Sequence, residues 1–236
     1  MRIHCEWGLQ GLLNAQSFSD LYVIVDILSF STSVEIATER GAIVFPCLPG
    51  EQNGIELAQA KKALLTQKRG QGYSLSPASL QKIPSGTKLV LPSPNGATLS
   101  LATGRIPTLA GCFRNAKAVA EYAMQIGQSI TLIAAGERWQ EGSLRFGIED
   151  WLGAGAIISY LKGMHSVEAK LAQNAFEMAQ SHLIEWLKEC QSGQELSQKG
   201  FETDVELASA LNISNNVPLL IGDAYYSTTD LKKRQM

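Results

Sequence analysis

The stretch Leu21-Tyr-Val-Ile-Val-Asp-Ile-Leu28, followed by Ser29-Phe-Ser-Thr-Ser33, decides the fold. Its first part is a nearly continuous apolar run rich in β-branched residues, which is typical of a strand buried on both faces of a parallel sheet. The polar residues that follow are candidate caps for a helix over Ser31–Arg40, and Gly41 lies just past the predicted end of that helix. The sequence therefore predicts a buried strand that leads directly into a helix.

The same alternation of strand and helix continues to Leu161. Repeated strand–helix–strand units join parallel strands through right-handed crossovers. We therefore predict an α/β protein with a mostly parallel sheet flanked by helices. The further predicted strands are Ala42–Leu48, Lys88–Leu91, Ile106–Gly111 and Ser129–Ala135, and the further helices are Asn115–Ile126 and Phe146–Leu161.

Two regions depart from the alternation. Residues 51–85 combine one helical stretch with a loop rich in Gly, Ser and Pro, which indicates an insertion or the edge of a lid. Residues 166–236 begin with an amphipathic helical pattern and form a possible C-terminal subdomain. We predict a single domain over residues 1–236 that contains both regions. Their predicted elements are helix Ile55–Gln67, loop Lys68–Ser85, helices Glu168–Cys190 and Asp204–Leu211, and strand Val217–Gly222.

The composition favours a cytoplasmic protein that acts on a small molecule. With a net charge of −2 and a pI of about 6.0, the chain lacks the basic field that nucleic acid or an anionic membrane would attract. The N-terminus lacks the apolar core of a signal peptide, and no apolar stretch reaches the ~20 residues of a membrane span. Four scattered cysteines without a CxxC pair are typical of free thiols. The amphipathic helix Glu168–Cys190 leaves a homodimer open.

Four polar segments follow predicted strands, at the places where open parallel sheets bind ligands. They are Asp26–Ser33, Ser93–Thr98, Cys112–Asn115 and Gly136–Gly142. Because the carboxyl ends of parallel strands lie together, we expect all four segments to line one edge of the sheet.

These segments combine carboxylates with the beginnings of helices. The free N–H groups of a helix N-terminus attract anions, but adjacent carboxylates repel a phosphate unless a hard cation such as Mg²⁺ lies between them. The sequence therefore predicts a Mg²⁺-dependent enzyme that acts on a phosphate ester. The predicted metal ligands are Asp26, Glu137 and Glu149, and the predicted catalytic carboxylates are Asp26, Glu137 and Asp150. The predicted phosphate- or substrate-binding residues are Ser31, Thr32, Ser33, Asn95, Gly96, Arg114 and Asn115.

Each of these residues also has a purely structural interpretation, as a helix cap, a turn residue or a helix-dipole partner. Other enzyme classes lack their motifs, because the chain has no GxxxxGK[ST], GxSxG or HExxH. Gly153-Ala154-Gly155 lies within a helical pattern, which predicts helix packing rather than a dinucleotide site. Two residues after Asp26 stands Leu28 rather than the second Asp of haloacid-dehalogenase phosphatases.

The family assignment depends on five segments, namely Val23–Thr32, Ser93–Thr98, Cys112–Ala116, Ala134–Glu137 and Gly147–Ile157. Together they resemble, in order and spacing, the 2-phosphosulfolactate phosphatase family. This resemblance implies a three-layer α/β/α fold and Mg²⁺-dependent hydrolysis of 2-phospho-3-sulfolactate to 3-sulfolactate and phosphate, a reaction of coenzyme M biosynthesis. A phosphatase for another small phosphorylated acid and a non-catalytic binder of small anions remain alternatives. The nucleophile is either a metal-activated water or Asp26 itself.

The chain departs from this family at two places. Members usually carry an Arg in the first motif (Val-Leu-Arg-Ala-Ser-Thr), whereas this chain has Ser29 there, followed by Phe30. A family loop with Gly-Asn-Ser-Pro appears here as Leu75-Ser-Pro-Ala-Ser79. The first change removes a fork-shaped anion-binding group. Arg114 and Arg138 are the predicted substitutes for it.

Overall fold

The structure is a computed structural model that describes residues 1–235, with side chains described for residues 1–231. Its strands and helices alternate along most of the chain, as the apolar runs predict. The strands are β1 (Arg2–Trp7), β2 (Leu21–Val25), β3 (Ile43–Cys47), β4 (Leu64–Leu65), β5 (Lys88–Pro92), β6 (Thr108–Gly111), β7 (Ser129–Ala134), β8 (Glu137–Arg138), β9 (Leu144–Arg145), β10 (Met164–His165), β11 (Pro218–Ile221) and β12 (Ala224–Ser227). The helices are α1 (Gly8–Ala15), α2 (Phe30–Glu39), α3 (Glu51–Lys61), α4 (Pro77–Leu80), α5 (Gly96–Ala102), α6 (Ala116–Ile126), α7 (Ile148–Ile158), α8 (Val167–Ala179), α9 (Leu183–Glu189), α10 (Gln191–Gln198), α11 (Glu202–Ser209) and α12 (Thr228–Gln235).

One large sheet has the strand order β10-β1-β7-β2-β6-β11-β12-β3-β5-β4. Its pairings are parallel within β10-β1-β7-β2-β6 and within β3-β5-β4. The antiparallel hairpin β11–β12 lies between these two groups and pairs with β6 and β3. The prediction of an α/β fold with a mostly parallel sheet is confirmed, although a hairpin divides the sheet.

Strand β2 is buried on both faces, and its alternate residues belong to two different cores. Leu21, Val23 and Val25 pack in a core that includes residues of α6, α7 and α8. Tyr22 and Ile24 pack on the other face in a core with residues of α1 and α5. The helices therefore cover both faces of the sheet, as the predicted three-layer arrangement requires.

Helix α2 lies inside the protein, since its residues from Phe30 to Thr38 are all buried. It contacts β6 and β11 as well as β12 and β3, and therefore strands on both sides of the division in the sheet. This placement brings the loops that follow strands of the two parallel groups close together. The candidate site lies at the N-terminal end of α2.

The region 51–85 contains more regular structure than the sequence predicts. Helix α3 ends at Lys61 rather than continuing to Gln67, because Lys62 adopts a left-handed conformation with φ of 51°. Leu64 and Leu65 then pair with β5 as an edge strand, and residues 77–80 form α4 within the predicted loop. Sheet pairing, a tertiary interaction, takes precedence over the local helical pattern.

The single long helix predicted over Glu168–Cys190 is wrong. Helix α8 ends at Ala179, a 3-10 turn spans Gln180–His182, and α9 follows. The chain changes direction because α8 packs on α7, whereas α9 packs on α11. Leu171 is exposed on α8 although the pattern assigns it to the buried face. A homodimer through this helix stays a prediction.

The sequence interpretation also left several elements unassigned, namely β1, α1, α10, β12 and α12. None of the helices in the described part of the chain is both long and apolar enough to span a bilayer.

Gly155 in α7 meets the Ala172 carbonyl of α8, and a side chain at Gly153 would lie 2.5 Å from Ile27 Cδ1. The prediction that this glycine pair serves helix packing is confirmed.

Candidate active site

Asp26 lies between the last residue of β2 and the start of α2, and only 5% of it is exposed. Its Oδ1 accepts a hydrogen bond from the Phe30 N–H at 2.8 Å, and its Oδ2 accepts one from the Gly96 N–H at 2.8 Å. Burial is the main reason that the pKa of Asp26 rises to about 6, and the charge of Glu149 adds to it. The carboxylate therefore joins the N-termini of α2 and α5 and remains able to take up a proton or a cation.

Glu137 is the second carboxylate of the site and begins the short ribbon β8–β9, directly after β7. Its Oε2 accepts a hydrogen bond from Asn95 Nδ2 at 2.8 Å. Burial, and next the charge of Asp26, raise the pKa of Glu137 to about 7. Asp26 and Glu137 are thus electrostatic neighbours, and the loop after β5 links them through Asn95 and Gly96.

Asp150, like Asp26, accepts backbone hydrogen bonds on both carboxylate oxygens, but it does not line the cavity that contains Asp26 and Glu137. Its Oδ1 accepts from the Ile27 N–H at 2.7 Å, and its Oδ2 accepts from the Gly136 N–H at 2.8 Å. The residue fastens the turn after β2 to the turn after β7, where Gly136 has a φ of 65°. This geometry favours a positioning role over the catalytic role predicted for Asp150.

Glu149 is buried in the first turn of α7, beside the Cys190 thiol. Burial, reinforced by the charge of Glu149, raises the pKa of that thiol to about 12. Glu149 also acts electrostatically on Asp26 and Glu137, raising the pKa of both. It therefore adds negative charge behind the two carboxylates of the site.

A cleft of about 240 Å³ contains Asp26 and Glu137. It is lined by the loops after β2, β5 and β7 together with two segments from elsewhere in the chain. The loop after β4 contributes Arg69 and Leu75, and the α10 region contributes Lys199 and its neighbours. The other lining residues are Leu28, Ser29, Ser93, Pro94, Asn95, Ser192, Glu195 and Leu196.

Arg69 is the arginine that lies beside Ser29. Its Nη2 donates a hydrogen bond to Ser29 Oγ at 3.0 Å, and its Nη1 forms an ion pair with Asp204 Oδ2 at 2.6 Å. The guanidinium also lies 5.7 Å from the centroid of the Phe201 ring. An arginine therefore does lie beside Ser29 of the first motif, but it is Arg69 and not Arg114 or Arg138, the two that the sequence suggests.

Arg114 and Asn115 do not line this cleft, and their predicted role in substrate binding gains no support. Arg114 Nε pairs with Glu35 Oε2 at 2.5 Å, at the distal part of α2. Asn115 is fully buried, and its side chain binds the Cys112 N–H at 2.9 Å and the Asn216 carbonyl at 3.0 Å. The segment after β6 follows the carboxyl end of a strand parallel to β2, as expected, but its polar groups close the protein interior and do not line the cleft.

Arg138 borders a different cavity, also of about 240 Å³, which lies against Glu137 and Asn95 and is lined by Trp7, Leu9 and Leu144. The Arg138 side chain is exposed and donates to the Gly142 carbonyl at 3.3 Å. The cavity that contains both Asp26 and the basic residues Arg69 and Lys199 is the better candidate for binding a phosphate ester.

The predicted phosphate-binding hydroxyls of α2 are fully buried. Ser31 donates to the Ile24 carbonyl and Thr32 to the Ile27 carbonyl, each at 2.8 Å. The Ser33 hydroxyl is buried without a hydrogen-bond partner in the described part of the chain. These side chains shape the turn that holds Asp26, and their arrangement gives no support to direct contact with phosphate.

Asn95 and Gly96 do lie at the site, since Asn95 lines the cleft and the Gly96 N–H binds Asp26. Sequence reasoning missed Arg69, Ser192, Glu195 and Lys199. Only the two basic residues carried any signal, because a cation is expected near a phosphate, but surface lysines and arginines are too common to single out.

The carboxylates of the site agree with one common way in which proteins bind Mg²⁺. Among residues 1–235, no group of three or more His, Cys, Asp or Glu side chains is arranged to hold a metal ion. Proteins usually bind Mg²⁺ through one or two carboxylates together with oxygens of the substrate phosphate. The pair Asp26 and Glu137, with pKa values raised first by burial and then by neighbouring negative charge, is a donor set of that kind.

Comparison with known proteins gives a consistent result. The sequence profile described as 2-phosphosulpholactate phosphatase matches residues 9–223 of the chain. A probable 2-phosphosulfolactate phosphatase of Carboxydothermus hydrogenoformans is 33% identical over 206 residues, which are 83% of this chain and 84% of that protein. The 2-phosphosulfolactate phosphatase of Methanothermobacter thermautotrophicus is 30% identical over 207 residues, 85% of this chain and 87% of that protein. A probable 2-phosphosulfolactate phosphatase of Synechocystis is 29% identical over 198 residues, covering 77% and 80%.

Proposed function

The chain belongs to the 2-phosphosulfolactate phosphatase family, and from this premise we propose that it hydrolyses 2-phospho-3-sulfolactate to 3-sulfolactate and phosphate with the help of Mg²⁺. The proposal includes the coenzyme M type of biosynthesis as its setting, which has the support of the family alone. The class of reaction is hydrolysis of a phosphoric monoester. The identity of the phosphorylated acid, 2-phospho-3-sulfolactate, is the finer part of the proposal.

The observation that carries the proposal is the cleft that two carboxylates, one buried and one half-buried, share with two cationic side chains. Asp26 and Glu137 come from loops at strand ends, and Arg69 and Lys199 come from the loop after β4 and the α10 region. Glu195 brings the lining to three carboxylates and two cations. Glu149, which is not part of the lining, adds negative charge that acts on Glu137. A multiply charged phosphate ester therefore needs a further cation to bind here.

Asp26 and Glu137 would hold that cation, which supplies charge neutralisation at the phosphoryl group when it is bound. The Phe30 and Gly96 N–H groups fix the Asp26 carboxylate, and Asn95 orients that of Glu137. Either carboxylate can exchange a proton near neutral pH, because burial and like charges raise their pKa values to about 6 and about 7. Attack by water and attack by Asp26 itself both remain compatible with this arrangement.

The first test is phosphate release from racemic 2-phosphosulfolactate by the purified protein, with Mg²⁺ and with EDTA. We expect turnover that needs Mg²⁺ and that falls at least about 100-fold in Asp26→Asn and in Glu137→Gln, since each loses a proton-exchanging or cation-binding group. The variant Glu121→Gln is the matched control, because Glu121 is an exposed carboxylate on α6.

Folding of the variants is verified by their thermal unfolding, so that loss of activity is assigned to the site. A folded wild-type protein that releases no phosphate with Mg²⁺ present would exclude the proposed substrate. Release from another small phosphorylated acid in the same assay would then keep the phosphatase class and change the substrate. Turnover that EDTA does not reduce would contradict the Mg²⁺ requirement.

A further inference from the structure

We infer that Arg69 determines substrate specificity by binding an acid group of the substrate other than its phosphate. The inference rests on the proposed function and deepens it. It assigns a purpose to the loop after β4, which stands outside the strand–helix alternation.

Arg69 is held in place by residues that lie far from it, and from each other, in the sequence. Asp204, from the start of α11, is 1% exposed and pairs with Nη1 at 2.6 Å. The same carboxylate accepts hydrogen bonds from Ser76 Oγ at 2.6 Å and from the Ala78 N–H at 3.0 Å. Asp204 therefore fastens Arg69 to the C-terminal end of the loop that carries it, and Ser29 fixes the other arm of the guanidinium at 3.0 Å.

This anchoring leaves the guanidinium able to bind a ligand. An arginine has five N–H donors, and the described residues occupy only those directed at Asp204 and Ser29. About a fifth of the Arg69 side chain is exposed, and it lines the cleft. A planar fork that is already oriented loses little conformational freedom when it binds an acid group.

The charges of the substrate indicate which group Arg69 binds. The phosphate belongs with the cation that Asp26 and Glu137 would hold. 2-Phospho-3-sulfolactate carries a carboxylate and a sulfonate besides its phosphate, and these need a cationic partner of their own. Arg69 and Lys199 are the basic residues that line the cleft, and Arg69 is the one that is partly buried and anchored, whereas Lys199 is exposed.

Arg145, a further arginine near the site, is committed elsewhere. Arg145 Nη1 lies 3.4 Å from Glu195 Oε1, and its guanidinium lies 5.8 Å from the centroid of the Trp139 ring. Arg145 does not line the cleft. Among the described residues, Arg69 is therefore the arginine that a second acid group in this cleft can reach.

The test compares wild type with Arg69→Gln, Arg69→Lys and Ser29→Ala. Steady-state rates with 2-phosphosulfolactate give kcat and KM, and competitive inhibition by 3-sulfolactate and by inorganic phosphate separates the two halves of the substrate. Arg105→Gln is the control, because Arg105 is exposed and borders a different cavity.

For Arg69→Gln we expect KM and the inhibition constant of 3-sulfolactate to rise about 10- to 100-fold, the worth of a charged hydrogen-bonded contact, with kcat little changed. The inhibition constant of phosphate should stay the same. Arg69→Lys should recover part of the loss, because it keeps the charge but not the fork. Ser29→Ala should give a smaller rise, since it removes only one anchor of the guanidinium.

Two results would overturn the inference while the proposed function stands. One is an active Arg69→Gln variant with unchanged KM and unchanged inhibition by 3-sulfolactate. The other is an equal weakening of phosphate and 3-sulfolactate binding, which would place the phosphate on Arg69. A folded wild-type protein that neither hydrolyses 2-phosphosulfolactate nor binds 3-sulfolactate would overturn both proposals together.

Discussion

Carboxylates that look alike in the sequence differ at the residue scale in whether they reach the cleft. Asp26 and Asp150 each accept backbone hydrogen bonds on both oxygens, but of these two only Asp26 lines the cleft. Glu137 also lines the cleft and accepts a hydrogen bond from Asn95 on one oxygen. Burial is the first cause that raises the pKa of Asp150 well above its ordinary value. Position in the cleft therefore distinguishes the proposed reactive carboxylates from the positioning one.

The raised pKa of Glu137 predicts how stability depends on pH in the absence of divalent cations. The folded protein binds this proton with a pKa of about 7, against an ordinary value of 4.5, so it holds the proton more tightly than the unfolded chain does. Ionised Glu137 therefore destabilises the fold above its folded pKa, and the free energy of unfolding should rise as the pH falls from about 8 to about 5. Urea unfolding in EDTA across this range measures the slope.

Glu137→Gln removes this titration. At about pH 8 the variant should be more stable than wild type, by on the order of 1 kcal/mol, and its stability should vary less with pH. Glu121→Gln, an exposed carboxylate on α6, should retain the wild-type slope. If Glu137→Gln has the same pH dependence as wild type, Glu137 is not the group that titrates.

At the scale of elements, the site depends on the close approach of α2 and α5. A side chain at Gly96 would place its Cβ 2.6 Å from Phe30 Cγ, which real Cβ atoms do not tolerate. The same glycine donates its N–H to Asp26 at 2.8 Å. The absence of a side chain at position 96 therefore lets the N-termini of two helices share one carboxylate.

Gly96→Ala should disturb both packing and the site. Phe30 is fully buried and cannot swing away, so the variant should lose about 2 kcal/mol of stability, as overpacked cores do. Activity should fall as well, because the Gly96 N–H moves away from Asp26. Chemical denaturation and phosphate release measure the two effects. Leu101→Ala, at an exposed position of the same helix, should change little in either, and an equally stable and active Gly96→Ala variant would refute this packing argument.

At the scale of the whole molecule, the cleft is assembled from segments that are far apart in the chain. Asp204 connects α11, in the last quarter of the sequence, to Arg69, Ser76 and Ala78 in the middle. Its carboxylate is almost completely buried, so its partners depend on it for their orientation. The loop after β4 is therefore ordered by the C-terminal region.

Asp204→Ala should release this loop. We expect faster tryptic cleavage after Lys68 and Arg69, together with a loss of about 3 kcal/mol in stability, because removal of one partner leaves buried donors unpaired. Asp223→Ala removes the partner of Lys61 in an exposed ion pair and serves as the control, with an expected change of about 0.5 kcal/mol or less. Unchanged cleavage at the loop in Asp204→Ala would contradict the proposed coupling.

The sequence by itself determined the alternation of strands and helices from Leu21 to Leu161 and the family. These follow from local rules, since β-branched runs buried on both faces and helix-packing glycines leave their mark within a few residues. It also led to Asp26, Asn95, Gly96 and Glu137, because the ends of strands are where such sheets bind ligands. A short motif at a strand end is both a structural and a chemical signal.

Only the tertiary structure decided which of the candidate residues share one cleft. Arg69 comes next to Ser29 because a buried carboxylate 135 residues further along the chain holds it there, and no local pattern encodes that contact. Arg114 and Asn115 instead pair with buried groups away from the cleft. Arg114 pairs with Glu35 of α2, and Asn115 donates to the Asn216 carbonyl. Residue type and spacing indicate what a side chain can do, whereas packing and the need to pair buried polar groups decide where it does it.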